Sequence, residues 1–135
     1  MSPNNACPVV LRQSAGIVEI LAFEHPRAGL QLVKGTIEPG ESAYAAALRE
    51  LEEESGVRGA SLGKHLGLWS SGVEAQTWSF HLCVPPQPLP ETWVHFAPDD
   101  GGIELRFFWH PLFGVASARW HRVHQNALRF IQRTV

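Results

Sequence analysis

Apolar and polar positions alternate with a period of two in several stretches of this chain. Over residues 73–84, Trp78, Phe80, Leu82 and Val84 fall on one side of an extended backbone, and Thr77, Ser79, His81 and Cys83 on the other. Residues 103–110 repeat the pattern, with Leu105, Phe107 and Trp109 opposite Glu104, Arg106 and Phe108. Residues 15–23 are dense in β-formers (Ile17, Val18, Ile20, Leu21, Phe23) and predict a third strand. Shorter strands are predicted over 9–11, 30–33 and 91–96, and over 62–69, where Gly63 and Gly67 interrupt. Helical spacing appears twice. Residues 43–54 put Tyr44, Ala47, Leu48 and Leu51 on one face, and residues 117–133 bring Trp120, Val123, Ala127, Phe130 and Ile131 together.

Punctuation falls between these elements. Turns are predicted at 25–29, 70–72 and 98–102, the last holding Asp99 and Asp100, with a connector at 58–62. The run Pro85-Pro86-Gln87-Pro88-Leu89-Pro90 excludes both a helix and a central strand, and reads as an extended surface loop. Strands with one internal and one terminal helix suit an α/β/α sandwich around a mixed sheet. At 135 residues, 1–135 reads as one domain, long enough to bury about two thirds of its unfolded surface.

Composition narrows the function classes. A net charge of −2 gives no cationic excess, which argues against a nucleic-acid polymer as partner. There is no run of 18 apolar residues and no basic leader, so neither a membrane span nor a signal peptide is expected. Cys7 and Cys83 make no disulfide framework and read as free thiols in a reducing cytoplasm. The seven histidines show no zinc-ligand spacing, and surface positions are expected for them, His121 and His124 included. Ser70 and Ser71 lie in no nucleophile elbow. Trp69, Trp78, Trp93 and Phe108 could each stack on a base, but core packing is the default reading.

The chemistry gathers between Gly35 and Gly56. Gly35, Pro39 and Gly40 supply turn geometry, Ser42 stands at a helix N-cap, and Gly56 stops the helix. Glu50, Glu53 and Glu54 share one face at i, i+3 and i+4, where like charges cost about 0.2–0.5 kcal/mol per pair. Glu52 is adjacent, and Arg49 alone is near enough to compensate. Two readings follow: a solvated acidic face, or oxygen ligands for a divalent cation.

Gly35, Glu41, Arg49, Glu50, Leu51, Glu53, Glu54, Gly56 and Val57 fit G-x5-E-x7-R-E-U-x-E-E-x-G-U, with U aliphatic, at every position. In this the chain resembles the Nudix hydrolase family. The resemblance implies a Nudix-type α/β/α sandwich with a mixed sheet. It also implies hydrolysis of a phosphoanhydride in a nucleoside diphosphate-linked substrate, with Mg²⁺ or Mn²⁺ as cofactor. Glu50, Glu53 and Glu54 match the family's metal ligands, the Gly35 carbonyl is a further candidate, and Glu41 and Arg49 match a pair that holds the helix carboxylates. Glu50 or Glu53 is the first candidate for the base that takes the water's proton, and Glu104 the downstream one. Lys34, before the motif, is a candidate phosphate contact. Two subgroups of the family carry a Pro or a Tyr about sixteen residues past the motif, marking ADP-ribose and diadenosine polyphosphate preference. Gly72, Val73 and Glu74 stand there, so neither marker is present. A nucleoside triphosphate or a dinucleoside polyphosphate is expected, with oligomeric state open, a homodimer included. The competing class is a non-catalytic Nudix-fold module that binds a nucleotide metabolite. It would be marked by a lost motif carboxylate, and none is lost.

Overall fold

Val10 is where the chain changes sheets. The computed structural model describes residues 2–98 and 101–135, so the Asp99–Asp100 part of the predicted 98–102 turn lies outside the described residues. Before Val10, β1 (Asn5–Val9) belongs to a mixed sheet; after it, β2 (Leu11–Ser14) belongs to a second, antiparallel one. The predicted strand 9–11 is therefore two strands, and the Val10 carbonyl accepts from Leu21 N at 2.9 Å at the crossing.

β2 turns through Ala15 and Gly16 into β3 (Ile17–His25), and both turn residues have positive φ (52° and 79°). That is the two-residue turn that suits strand twist, and it moves the start of the predicted 15–23 strand to Ile17. β3 pairs with β4 (Gly29–Gln31) across the 25–29 turn. A two-residue strand β5 (Gly35–Thr36) follows and pairs antiparallel with β1. Helix α1 (Ala43–Ser55) comes next, then β6 (Ser61–Ser70) and β7 (Thr77–Val84). β8 (Trp93–Ala97), β9 (Ile103–Pro111) and helix α2 (Arg122–Thr134) complete the described elements. The mixed sheet has the order β5-β1-β7-β6, its single parallel pair being β1 with β7. The second sheet has the order β2-β3-β9-β8, with β4 on β3.

The sheets form two apolar layers. In one, Val9, Ile20, Trp78, Phe80 and Leu112 meet Ala127, Leu128 and Ile131 of α2. In the other, Leu21, Phe23, Leu105 and Phe107 meet Leu51 and Val57 on the α1 side. Two helices flanking two sheets, one of them mixed, is the Nudix-type α/β arrangement that the motif implied.

Several expectations are corrected. Residues 73–76 are a turn and not the start of a strand, because Glu74 and Ala75 take positive φ and Gln76 N bonds back to Val73 O at 3.0 Å. Both faces of β7 are covered: Ser79, His81 and Cys83 are buried like Trp78 and Phe80, since β7 is an interior strand with α1 over its second face. The last helix begins at Arg122 and not Ser117. Trp120 drops out of helical geometry to lie beside Leu30 in a parallel bridge, and the His121 ring accepts from Val123 N as a cap. The surface expectation fails for His81 and His124, both buried. Cys7 and Cys83 are free and buried. The proline run is irregular surface chain; Trp109 Nε1 donates to Pro90 O at 3.0 Å and holds it to β9.

Candidate active site

α1 starts and stops where its residues dictate. Ser42 Oγ accepts from Ala45 N at 3.1 Å, and Gly56, with φ at 80°, closes the helix by donating to Glu52 O at 2.8 Å. Its buried stripe differs from the predicted one. Tyr44 is 53% exposed, while Ala46 and Ala47 pack against Ala6 of β1. Small side chains let the helix approach the strand closely, and that rotation carries Glu50 and Glu54 into the buried face beside Leu51.

Glu50 and Glu54 are 7% and 8% exposed. Carboxylates are seldom buried to that degree without partners. The Glu50 carboxyl has two: Arg49 Nη1 at 2.8 Å and the Glu54 carboxyl. Burial pushes the Glu50 carboxyl above the usual carboxylate range, and the Arg49 guanidinium pulls the other way. Glu53 is the more open of the three, with Arg49 Nη1 at 3.3 Å from one oxygen.

Arg49 is the knot of the site. Nε and Nη2 grip both Glu41 oxygens at 2.8 and 2.9 Å, and Nη2 also donates to Thr36 O at 2.9 Å. With the Glu50 and Glu53 bonds, all five of arginine's N–H donors are engaged. These contacts raise the already high pKa of Arg49 and lower Glu41 to about 2, helped by the Glu38 N–H at 3.1 Å. Gly35 lies against the Glu50 side chain, and a Cβ there would overlap its carboxyl carbon and both oxygens. No larger residue fits without moving Glu50.

Lys34 points toward the same acids. Its Nζ donates to Gln76 Oε1 at 3.2 Å and sits 5.2 Å from the centre of the Trp78 ring. Burial lowers its pKa and Glu54 draws it back up. With Glu54 it lines a hollow of about 180 Å³, together with Phe23, His25, Gln31, Ala97, Ile103 and Leu105. Sequence reading missed Phe23, His25, Gln31 and Gln76. They come from the β3–β4 hairpin and the turn before β7, and no spacing links them to the motif.

Glu104 is not brought to this hollow. Alternation on β9 turns Ile103 and Leu105 toward it, and leaves Glu104 exposed on the other face. Trp78 is core, whereas Trp69, Trp93 and Phe108 are half-buried, with Trp93 stacked on Phe107 at 5.1 Å.

The donor set suits a hard divalent cation. Two buried carboxyls share a hydrogen bond that one cation could replace, a third stands beside them, and Gly35 leaves room for their approach. Among the described residues no three acids, histidines or cysteines converge into a ready cage.

Comparison with known proteins agrees with this geometry. The NUDIX domain family model matches residues 3–134. A C. elegans Ap4A hydrolase binary complex superimposes with a TM-score of 0.66 at 20% identity, over 96% of each chain. The E. coli dihydroneopterin triphosphate pyrophosphohydrolase gives 0.59 at 18% identity, over 100% of each. The NUDIX domain of Shewanella oneidensis NrtR, complexed with ADP ribose, gives 0.66 at 13% identity, over 98% of this chain and 88% of that one. A comparison with the curated proteins gives no match. Fold and motif together define a Nudix pyrophosphohydrolase. The chain belongs to the NUDIX domain family.

Proposed function

We propose that the protein hydrolyses a phosphoanhydride bond in a nucleoside triphosphate or dinucleoside polyphosphate with the help of Mg²⁺ or Mn²⁺. One observation carries the reading: Arg49, with every donor engaged, holds Glu41, Glu50 and Glu53, and Glu50 meets Glu54, which lines one hollow with Lys34. Glu50, Glu53 and Glu54, with the Gly35 carbonyl, would hold the ion. When bound, it would neutralise phosphate charge and lower the pKa of the attacking water.

The chain's own residues divide the remaining work. Glu41 and Arg49 fix the orientation of the carboxylates so that they do not reorganise during reaction. Lys34 meets a phosphate oxygen as a point charge. A helix glutamate, Glu50 or Glu53, takes the water's proton, because Glu104 faces away from the hollow. Residues 1–135 act as one Nudix domain in the cytoplasm, a compartment in which Cys7 and Cys83 stay reduced.

A nucleotide panel tests this. With Mg²⁺, at least one nucleoside triphosphate or dinucleoside polyphosphate should release a nucleoside phosphate. Binding without turnover across the whole panel would instead support a nucleotide-sensing module.

A further inference from the structure

β6 breaks its register twice, once on each side of His65. Its pairing with β7 runs Ser61 with Val84 and Leu62 with Cys83, shifts to place His65 opposite His81, and shifts again before Gly67 meets Phe80. Bulges re-aim side chains, and they recur where that aim matters. Here the two irregularities set the His65 ring 4.6 Å from the His81 ring, the planes 30° apart.

Both rings converge on one atom. Ser79 Oγ lies 2.9 Å from His65 Nε2 and 2.8 Å from His81 Nε2. Ser79 and His81 are buried, and His65 is exposed at the edge of the mixed sheet. Tyr44 of α1, itself exposed, sets its ring edge-on to His81 at 5.7 Å. A hydroxyl has one proton and two lone pairs, so it donates to one imidazole and accepts from the other. The reverse arrangement serves equally well, and no carboxylate among the described residues hydrogen-bonds to either ring to fix a tautomer. Two imidazole nitrogens thus face one hydroxyl beside solvent. Nothing in the proposed hydrolysis uses them.

We propose that His65 and His81 form a second metal site, for a borderline divalent ion of the Zn²⁺ or Ni²⁺ kind, with the Ser79 hydroxyl beside it. Imidazole nitrogen suits these ions, whereas the carboxylates of α1 suit Mg²⁺ and Mn²⁺, so the chain sorts two metals by ligand type. Among the described residues no third histidine, cysteine or acid joins the pair, and solvent completes the shell. Burial lowers the pKa of His81 to about 4, which keeps it neutral and able to ligate in mild acid. A bound ion would pin the edge strand β6 to β7, next to the Tyr44 contact with α1.

The test is Zn²⁺ titrated calorimetrically into the full chain in excess Mg²⁺, which competes at the oxygen donors. Wild type should take up one Zn²⁺, and the Glu53→Gln, Glu54→Gln variant should match it. His65→Asn, at an exposed position, should keep its Tm and bind at least tenfold more weakly. With Cu²⁺ in place of Zn²⁺, electron paramagnetic resonance should report two imidazole nitrogens in wild type and one in His65→Asn. No uptake over Mg²⁺, or uptake indifferent to His65→Asn, would overturn the site and leave the three residues as a hydrogen-bonded brace.

Discussion

At the scale of single residues, the site is held by contacts that leave little slack. Gly35 is fixed by the Glu50 carboxyl, so Gly35→Ala forces that side chain out of place. Overpacking of this kind costs about 1–3 kcal/mol, and a shifted carboxylate cannot orient what it holds. We expect kcat/KM to fall at least tenfold with a lowered Tm, checked by steady-state kinetics beside a thermal melt. Arg49 makes a complementary prediction. Its five donors all end on protein oxygens, so Arg49→Ala should lower kcat and Tm together. Arg49→Lys should rescue neither, because an ammonium cannot span Glu41, Glu50 and Thr36 at once. A raised KM with kcat and Tm unchanged would mean direct substrate contact instead. The proton acceptor can be located the same way. At saturating Mg²⁺, Glu50→Gln should cost about 10²–10⁴-fold in kcat, and Glu104→Gln less than about tenfold. A thousandfold loss in Glu104→Gln with unchanged metal affinity would return the base to β9.

At the scale of elements, α1 is positioned from both ends. Its beginning is tied through Glu41 and Arg49 to Thr36, and its last turn is tied to β8. Trp93 Nε1 donates to Ser55 O at 2.9 Å, and the His95 ring meets Glu53 O at 3.1 Å. Trp93→Phe keeps an aromatic ring over Phe107 but leaves the Ser55 carbonyl without its donor. The expected cost is about 1 kcal/mol, with faster amide exchange confined to the last turn of α1, read by hydrogen exchange. None of this docking was legible in the sequence, where residues 91–96 were only a short strand. The helix itself was legible to within one residue at its end, because Ser42 and Gly56 act locally. The glutamate cluster was legible too, but not its burial, since that depends on Ala46 and Ala47 meeting Ala6 across forty residues of chain. Long-range packing also decided the failures. Trp120 preferred a place beside Leu30 to a place in the helix, and a sandwiched β7 buried His81, for which a surface position was expected. His65 shows the same limit, because Gly63 and Gly67 marked an interruption in the strand without saying which residue it would re-aim.

At the scale of the whole molecule, burial of ionisable groups makes stability depend on pH. His124 is buried beneath Trp78, and its Nδ1 accepts from Leu32 N at 2.9 Å, a bond only the unprotonated nitrogen can make. Burial lowers its pKa to about 3, and that of His81 to about 4. Histidine in an unfolded chain titrates near 6.5. Between that value and the native ones, the unfolded chain binds protons that the folded chain refuses, so stability rises with pH in this window. The contribution is complete above about pH 6.5 and is lost progressively as pH falls toward 3. Glu41, held at about 2 by Arg49, works in the same direction at lower pH, losing its contribution as pH drops below its usual 4.5. Urea unfolding in the presence of a chelator should therefore give a lower midpoint at pH 5 than at pH 7.5. For His124 alone the slope approaches about 1.4 kcal/mol per pH unit where the unfolded group is protonated and the native one is not. His124→Gln supplies an amide oxygen that can accept from Leu32 N without titrating. Its midpoint should fall less between the two pH values than that of wild type, even if it starts lower at pH 7.5. An equal fall in both proteins would show that His124 is not among the groups that set the acid limb.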